Sequence, residues 1–308
     1  MGPATTSETV PFAFPPLALL APHPMTDLIQ ALLLGIIEGI TEFLPISSTG
    51  HLLIAERWLG HRSDLFNIGI QAGAILAVVL IYRRRLWGML SAFFGHDAPA
   101  VYDPLGITST PAQSRAYAFK LLAAFAVTAI GGLLVKKLGW QLPDTVRPIA
   151  WALILGAFWM IAAEHFAAKK AAREGERMAI SWTVAVLVGL AQVVAGVFPG
   201  TSRSAATIFA ALLFGTTSRA AATEFAFLVG IPTMFAATGY ELVDVLKSGQ
   251  AANEDWSAFV VAFIASAVTA FISVKWLLRY IQSHRFTAFA VYRLLFGVAL
   301  LLLVPAGG

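Results

Sequence analysis

Two glutamates one helical turn apart are the first residues in this sequence whose types and spacing suggest chemistry. Glu38 and Glu42 lie in an otherwise apolar stretch, and their spacing of four puts both on one face of a helix. Acids in apolar surroundings are costly and therefore indicate function. Two carboxylates would repel a phosphate, so we expect a hard divalent cation, Mg²⁺ or Ca²⁺, bound by Glu38 and Glu42 and shared with phosphate oxygens.

A string of hydroxyl side chains and one histidine follows these acids. Pro45 ends the preceding helix, and the string contains Ser47, Ser48, Thr49 and His51. Ser47 and Thr49 fit two roles equally well, capping of the next helix and phosphate binding at its amino end. Ser48 is the nucleophile candidate, because His51 is close enough in sequence to act as its base or as an acid to the leaving group.

A second polar string surrounds a single arginine, Arg203, which stands between Ser202 and Ser204 with Thr207 one turn further on. The preceding Pro199-Gly200 break places Arg203 where a helix begins, not where one ends at lipid headgroups. A guanidinium stays charged and matches a phosphate with paired hydrogen bonds. We therefore expect Arg203 to hold a phosphate group, with Ser202, Ser204 and Thr207 as further binding residues.

Together the two strings have the parts that phosphoryl transfer requires, which are a positioned nucleophile and groups that neutralise charge. The sequence predicts attack on phosphorus by Ser48 or by an activated water, with Arg203 and the metal offsetting the charge and His51 or Glu42 handling the proton. Glu224 and Gln71 are weaker candidates.

The composition indicates the surroundings of this chemistry. Of the 308 residues, 58% are apolar and 12% are charged, and the mean hydropathy is +0.76. A soluble domain has about 25% charged residues, so the composition predicts a multi-pass membrane protein. The formal charge of +4 arises from cations between apolar runs, which is typical of membrane flanks and not of nucleic-acid binding. The absence of cysteine excludes thiol chemistry and disulfides.

Six apolar stretches are long enough to cross a bilayer, at residues 65–82, 115–135, 147–167, 220–239, 257–279 and 287–304. Two further segments, 28–59 and 181–215, are interrupted midway by the two polar strings. Irregular backbone at membrane depth needs protein or a wet cavity around it, so we expect two re-entrant helix pairs whose tips meet inside the protein.

The two halves of the chain resemble each other weakly. A shift of 154 residues aligns Gly35 with Gly189 and Glu38 with Gln192. Three crossings in each half would invert the second half relative to the first. The predicted fold is thus an all-α integral membrane protein, with six transmembrane helices plus two re-entrant helix pairs in an inverted repeat. Basic loops at 83–85, 169–177 and 279–285 are expected on the cytoplasmic side.

The domain prediction is a disordered N-terminal extension over residues 1–24 and a single membrane domain over 25–308, with repeat halves at about 25–168 and 179–308. The extension is rich in proline and has no Lys or Arg, unlike a secretory signal. Met1 and Met25 are both left as start sites.

The segment from Glu38 to His51, EGITEFLPISSTGH, and the segment from Pro199 to Thr207, PGTSRSAAT, resemble the undecaprenyl-pyrophosphate phosphatase family, also called the bacitracin-resistance family. The resemblance extends from about residue 25 to the C-terminus and includes ATEFAFLVGIP at 222–232. Ala205 departs from the pattern, which usually has glycine there.

The resemblance implies a bacterial inner-membrane hydrolase that converts undecaprenyl diphosphate to undecaprenyl phosphate and phosphate, recycling the peptidoglycan lipid carrier, with Mg²⁺ or Ca²⁺. Carried over to this sequence, Glu42, Ser48, His51 and Arg203 would be catalytic. The residues that would bind metal or pyrophosphate are Glu38, Ser202, Ser204 and Thr207.

Two other functions fit part of this pattern. A lipid flippase or transporter also fits an inverted repeat with charges at the midplane. Another lipid phosphatase family, with Ser-Gly-His and Ser-Arg motifs, is rejected because it requires a histidine where Phe209 stands. The sequence leaves open whether the working unit is a monomer or a homodimer, and from which side the pyrophosphate enters.

Overall fold

A computed structural model describes residues 24–94, 110–140 and 145–304. The predicted extension, 1–24, lies outside this part apart from its last residue. The regular elements of the described residues are eleven α-helices and one 3-10 turn: α1 Pro24–Thr41, α2 Ser48–Leu59, α3 Asp64–Ile81, α4 Arg83–Phe93, α5 Pro111–Lys137, α6 Val146–Glu174, α7 Trp182–Val197, α8 Arg203–Phe214, α9 Arg219–Ser248, the 3-10 turn Gln250–Asn253, α10 Trp256–Ser283 and α11 Thr287–Leu303.

Five of these helices, α3, α5, α6, α9 and α10, are long and apolar enough to cross a membrane. Large apolar side chains cover much of the outer surface, including Leu133, Leu155 and Ile272, each more than 60% exposed. Such a surface suits lipid, not water. The all-α, multi-pass membrane class predicted from composition is confirmed. α11, which was predicted as a sixth crossing, is apolar but has 17 residues.

Several helix starts are set locally by side chains that accept backbone N–H groups. Ser63, Ser181 and Ser218 cap α3, α7 and α9 in this way, and Thr110 caps α5 in a capping box with Gln113. These caps place the long helices within a few residues of the apolar stretches that the sequence marked.

The basic run at 83–85 was predicted to be a loop, and that assignment is wrong. It is the first turn of α4, which follows α3 after the single residue Tyr82. Arg85 is 5% exposed, its Nε lies 3.4 Å from Glu224 Oε1, and its guanidinium lies over the Tyr117 ring. Only Arg83 and Arg84 are exposed. An acid and an aromatic ring from α9 and α5 offset the burial of Arg85, which local sequence does not reveal.

The two interrupted segments form short helix pairs, α1 with α2 and α7 with α8. In each pair the second helix is capped by a serine with positive φ, 74° at Ser47 and 71° at Ser202, the only non-glycine residues in the described part with positive φ. The two caps are 155 residues apart, so the 154-residue alignment is one residue out at the turns. The same unusual backbone therefore occurs at both interruptions.

Packing between the two halves of the chain surrounds these turns. α1 packs on α10, α7 packs on α5, α3 packs on α9 and α10, and α6 lies along α11. Glycines allow close contact, since a Cβ at Gly189 would lie 2.6 Å from the Ala124 carbonyl oxygen and one at Gly35 would clash with the Ala262 carbonyl. α8 is buried from Ser204 through Leu212. The turn before α8 therefore lies deep inside the protein, beside the turn before α2.

Candidate active site

The turn between α1 and α2 meets the turn between α7 and α8 inside the protein. Ser204 Oγ donates a hydrogen bond to the carbonyl oxygen of Leu44 at 3.0 Å, and it lies 3.1 Å from Ser202 Oγ. The two polar strings, about 160 residues apart in sequence, are thus joined directly. This contact brings Glu42, which precedes the first string, next to Arg203 of the second.

Glu42 is the centre of the site, because both of its oxygens have partners. Arg203 Nη2 donates to Oε1 at 2.7 Å, and the hydroxyl of Ser48 donates to Oε2. The Glu42 side chain is 6% exposed. A carboxylate that accepts the hydroxyl hydrogen of a serine can take its proton when the oxygen attacks. The arrangement therefore has a nucleophile, a base and a fixed cation within one chain of hydrogen bonds.

The position of Arg203 depends on helix α9. Its Nη2 also donates to Met234 Sδ at 3.2 Å, and a Cβ at Gly230 would clash with its Nη1. A guanidinium has five N–H donors, and the contacts to Glu42 and Met234 both use Nη2. Among the described residues no hydrogen bond uses Nη1 or Nε, so these donors can bind phosphate oxygens while the contact to Glu42 persists.

Glu38 lies one turn before Glu42 on α1 and is completely buried. Neither of its carboxylate oxygens has a hydrogen-bond partner among the described residues. Uncompensated carboxylate oxygens in a protein interior are rare and suit a hard cation. The described part of the chain has no cluster of three or more His, Cys, Asp or Glu side chains. The donors present, two carboxylates and a hydroxyl, suit Mg²⁺ or Ca²⁺ completed by water and phosphate oxygens.

The predicted binding hydroxyls are used in different ways. Ser47 Oγ accepts Gly50 N–H at 3.4 Å, so Ser47 has the capping role. Ser202 Oγ accepts the N–H of Ala205 at 3.3 Å, so the residue that departs from the family pattern already has a partner for its N–H. Both serines remain at the amino ends of α2 and α8, where a helix favours anions.

Two of the predicted binding threonines differ in accessibility. Thr207 is fully buried and donates to the carbonyl of Arg203 at 2.8 Å within α8. Thr49 is exposed in the first turn of α2. Of the two, Thr49 is open to a ligand as the structure stands.

His51 does not contact Ser48 through any hydrogen bond of the described residues. Its Nδ1 donates to the Ser47 carbonyl at 2.7 Å, and its Nε2 lies 2.7 Å from the hydroxyl of Tyr292. Phe296 stacks on the imidazole, with ring centroids 4.5 Å apart. Ser48 is hydrogen-bonded to Glu42 instead. The predicted pairing of Ser48 with His51 is therefore not present.

Two residues of α11 were missed by the sequence analysis. Tyr292 holds His51, and the neighbouring Arg293, which is fully buried, donates to backbone carbonyls of both turns. An arginine inside an apolar helix is itself a signal, because a cation there needs a partner. Tyr292 has no comparable signal in the sequence, since tyrosine is common near membrane surfaces.

The two weaker candidates have other positions. Glu224 is 1% exposed and pairs with Arg85, which ties α9 to α4. Gln71 is partly buried on α3. Gln71 makes no hydrogen bond to the site residues in the described part of the chain.

Comparison with known proteins shows the family of this chain. A sequence profile of the family described as "Bacitracin resistance protein BacA" matches residues 31–299. This chain belongs to the BacA family. It is similar to a protein from Rhizobium etli named undecaprenyl-diphosphatase, with 62% identity over 281 residues, 91% of this chain and 98% of the relative. A protein of the same name from Xanthomonas euvesicatoria pv. vesicatoria is 58% identical over 282 residues, 92% of this chain and 99% of the relative.

Both interrupted helix pairs of this BacA-family chain lie almost wholly within the matched range, and so do all the site residues described above. The family resemblance predicted from the two motifs is therefore confirmed.

Proposed function

We propose that this chain is an undecaprenyl-diphosphatase of the bacterial inner membrane, which hydrolyses undecaprenyl diphosphate to undecaprenyl phosphate and phosphate and so recycles the peptidoglycan lipid carrier. The observation that carries the proposal is the chain of hydrogen bonds from Ser48 through Glu42 to Arg203, inside a bundle of membrane-spanning helices. Its partners are the polyprenyl diphosphate and the bilayer that holds it.

In the proposed reaction, Ser48 Oγ attacks the terminal phosphorus and Glu42 Oε2 takes the hydroxyl proton. The phosphorus–oxygen bond to the lipid monophosphate breaks, and the lipid leaves as undecaprenyl phosphate. Water then releases phosphate from Ser48. Arg203 offsets charge on the transferred group through Nη1 and Nε. The Ser48–Glu42 hydrogen bond favours this route over direct attack by water.

Glu38 and Glu42 would hold Mg²⁺ or Ca²⁺, which would neutralise pyrophosphate charge when bound. The support is the completely buried Glu38, both of whose oxygens lack hydrogen-bond partners among the described residues. His51, held by Tyr292, would act on the leaving group rather than on Ser48.

The finer fold is also a proposal: an inverted repeat of six transmembrane helices and two re-entrant pairs. The support is the matching backbone at Ser47 and Ser202 and the way α1 packs on α10 as α7 packs on α5. Single cysteines are easy to place in this cysteine-free chain. An impermeant maleimide should label His61→Cys and Glu176→Cys from opposite sides of the membrane, and labelling from the same side contradicts the inversion.

The test of function is phosphate release from undecaprenyl diphosphate by purified protein in detergent, with and without EDTA. We expect release that EDTA abolishes, that Mg²⁺ or Ca²⁺ restores, and that Arg203→Ala loses. If folded wild-type protein releases no phosphate with either metal, the hydrolase proposal is wrong. Movement of the lipid phosphate across a vesicle membrane without release of inorganic phosphate would then support a transporter.

A further inference from the structure

Arg293 is a buried cation that pairs with no buried anion among the described residues. It lies within the apolar helix α11 and is 0% exposed, and no carboxylate in the described part of the chain forms an ion pair with it. A cation at such a depth is costly unless polar groups surround it. The protein must therefore supply its solvation through neutral acceptors.

Those acceptors come mainly from the two turns of the site. Arg293 Nη1 donates to the carbonyl oxygens of Thr201 at 2.8 Å and Pro45 at 3.4 Å, and Nη2 donates to Gly200 at 2.9 Å. These carbonyls follow the carboxyl ends of α1 and α7, where helix dipoles place partial negative charge. One guanidinium thus links the first turn to the second.

The remaining donors fix the guanidinium to helix α6. Nη2 donates to Ala152 O at 3.1 Å and Nε to Leu153 O at 3.4 Å. A Cβ at Gly156 would collide with the guanidinium, so glycine provides the space on that helix. The five contacts match the five N–H donors of arginine. Lysine has three donors and a point charge, so it cannot reproduce the set.

These contacts also orient the backbone of the second turn. The peptide unit is planar and trans, so a Thr201 carbonyl directed at Arg293 turns the Ser202 N–H the opposite way. The next residue is Arg203, which reaches Glu42. The contact to Pro45 acts on the other turn, three residues before Ser48. In the described part of the chain Arg293 makes no hydrogen bond to Glu42, Ser48 or Arg203, yet it binds the backbone that carries them.

We propose that Arg293 is a positioning residue for phosphoryl transfer: it clamps the two turns together so that Glu42 and Ser48 from the first face Arg203 from the second. This inference deepens the proposed hydrolase function and rests on it. The role differs from substrate binding, because the guanidinium is directed at carbonyl oxygens, and it differs from general stability, because the clamped backbone is that of the site.

The first experiment measures kcat, KM and the melting temperature of Arg293→Lys and Arg293→Met in detergent. The matched control is Arg219→Met, which removes an arginine at the start of α9 whose Nε donates to Glu164 Oε1 at 3.0 Å. For Arg293→Met we expect kcat per folded protein to fall about 100-fold, since misplacement by about 1 Å has that effect, with KM within about threefold. Arg293→Lys should recover part of kcat.

Arg219→Met should lower the melting temperature and keep kcat per folded protein near the wild-type value. If Arg293→Met changes kcat no more than Arg219→Met does, the positioning role is wrong. If Arg293→Met fails to fold, the same comparison is made with Arg293→Lys. A rise in KM with unchanged kcat would also overturn the positioning role, because it would mean that Arg293 binds the substrate directly.

A second readout does not require activity. Ser48→Cys introduces the only thiol in the chain at a buried position, and its alkylation rate by a small maleimide reports how firmly the first turn is held. Adding Arg293→Lys should raise that rate by about fivefold or more through local opening, whereas adding Arg219→Met should not. Equal alkylation rates in the Ser48→Cys/Arg293→Lys and Ser48→Cys/Arg219→Met double variants would refute the clamp. If wild-type protein lacks phosphatase activity while the rates differ as expected, the hydrolase proposal fails and the clamp stands.

Discussion

Gly230 offers a way to move Arg203 without changing any ionisable group. It lies on α9, and a Cβ there would meet Arg203 Nη1. The obstructing atom is the far end of a flexible side chain, not backbone, so Gly230→Ala should still fold. We expect the guanidinium to shift by about 1 Å, which restores ordinary van der Waals separation.

The structure gives the size of the effect. Such a shift takes Arg203 Nη2, now 2.7 Å from Glu42 Oε1, out of hydrogen-bond range. A hydrogen bond between charged groups contributes about 1.5–3 kcal/mol, which corresponds to a fall in kcat of roughly 10- to 150-fold. Alanine also favours a helix by about 0.5–1 kcal/mol over glycine, so the melting temperature should change little.

The assay is phosphate release from undecaprenyl diphosphate at saturating metal, with melting temperatures measured in the same detergent. Gly239→Ala is the matched control, because it lies on the same helix and a Cβ there meets nothing within 4 Å. If Gly230→Ala keeps kcat within about threefold of Gly239→Ala, a difference near 0.65 kcal/mol, the Arg203–Glu42 contact does not matter for turnover and the reasoning is refuted.

Three further predictions concern the groups around this contact. Glu42→Gln removes the acceptor for the Ser48 proton, so kcat should fall by about 10²–10⁴ with the protein still folded. Glu38→Gln should raise the Mg²⁺ concentration for half-maximal phosphate release at least about tenfold, since even indirect contacts to a metal change affinity that much. Tyr292→Phe removes the hydroxyl that lies 2.7 Å from His51 Nε2 and keeps the ring, so kcat should fall by up to about tenfold, the effect of one neutral hydrogen bond.

Each of these variants has a control of the same chemistry. Glu56→Gln alters another buried acid, one that pairs with His61 at 2.9 Å, and it should leave both kcat and the metal requirement near wild type. Tyr280→Phe alters a tyrosine that stacks on Trp276 on α10 and should leave kcat unchanged. A metal requirement of Glu38→Gln equal to that of Glu56→Gln would contradict the assignment of Glu38 as a ligand.

Much of the fold could be predicted because its causes are local. A run of apolar residues long enough for a bilayer becomes a helix wherever serine or threonine caps its start, as at Ser63 and Thr110. Proline and glycine within the polar strings interrupt the other two segments regardless of tertiary contacts. The prediction failed at Arg83–Arg85, because the partners that bury Arg85 come from α5 and α9.

The sequence by itself determined the membrane class, the family and the set of reactive groups, because composition, motif and residue type are properties of short segments. Tertiary structure decided which groups meet. It placed Glu42 instead of His51 on Ser48, directed His51 to Tyr292, and joined two turns about 155 residues apart through Arg293. Hydrogen bonds act over about 3 Å, so a pairing across such a sequence separation follows only from how the helices pack.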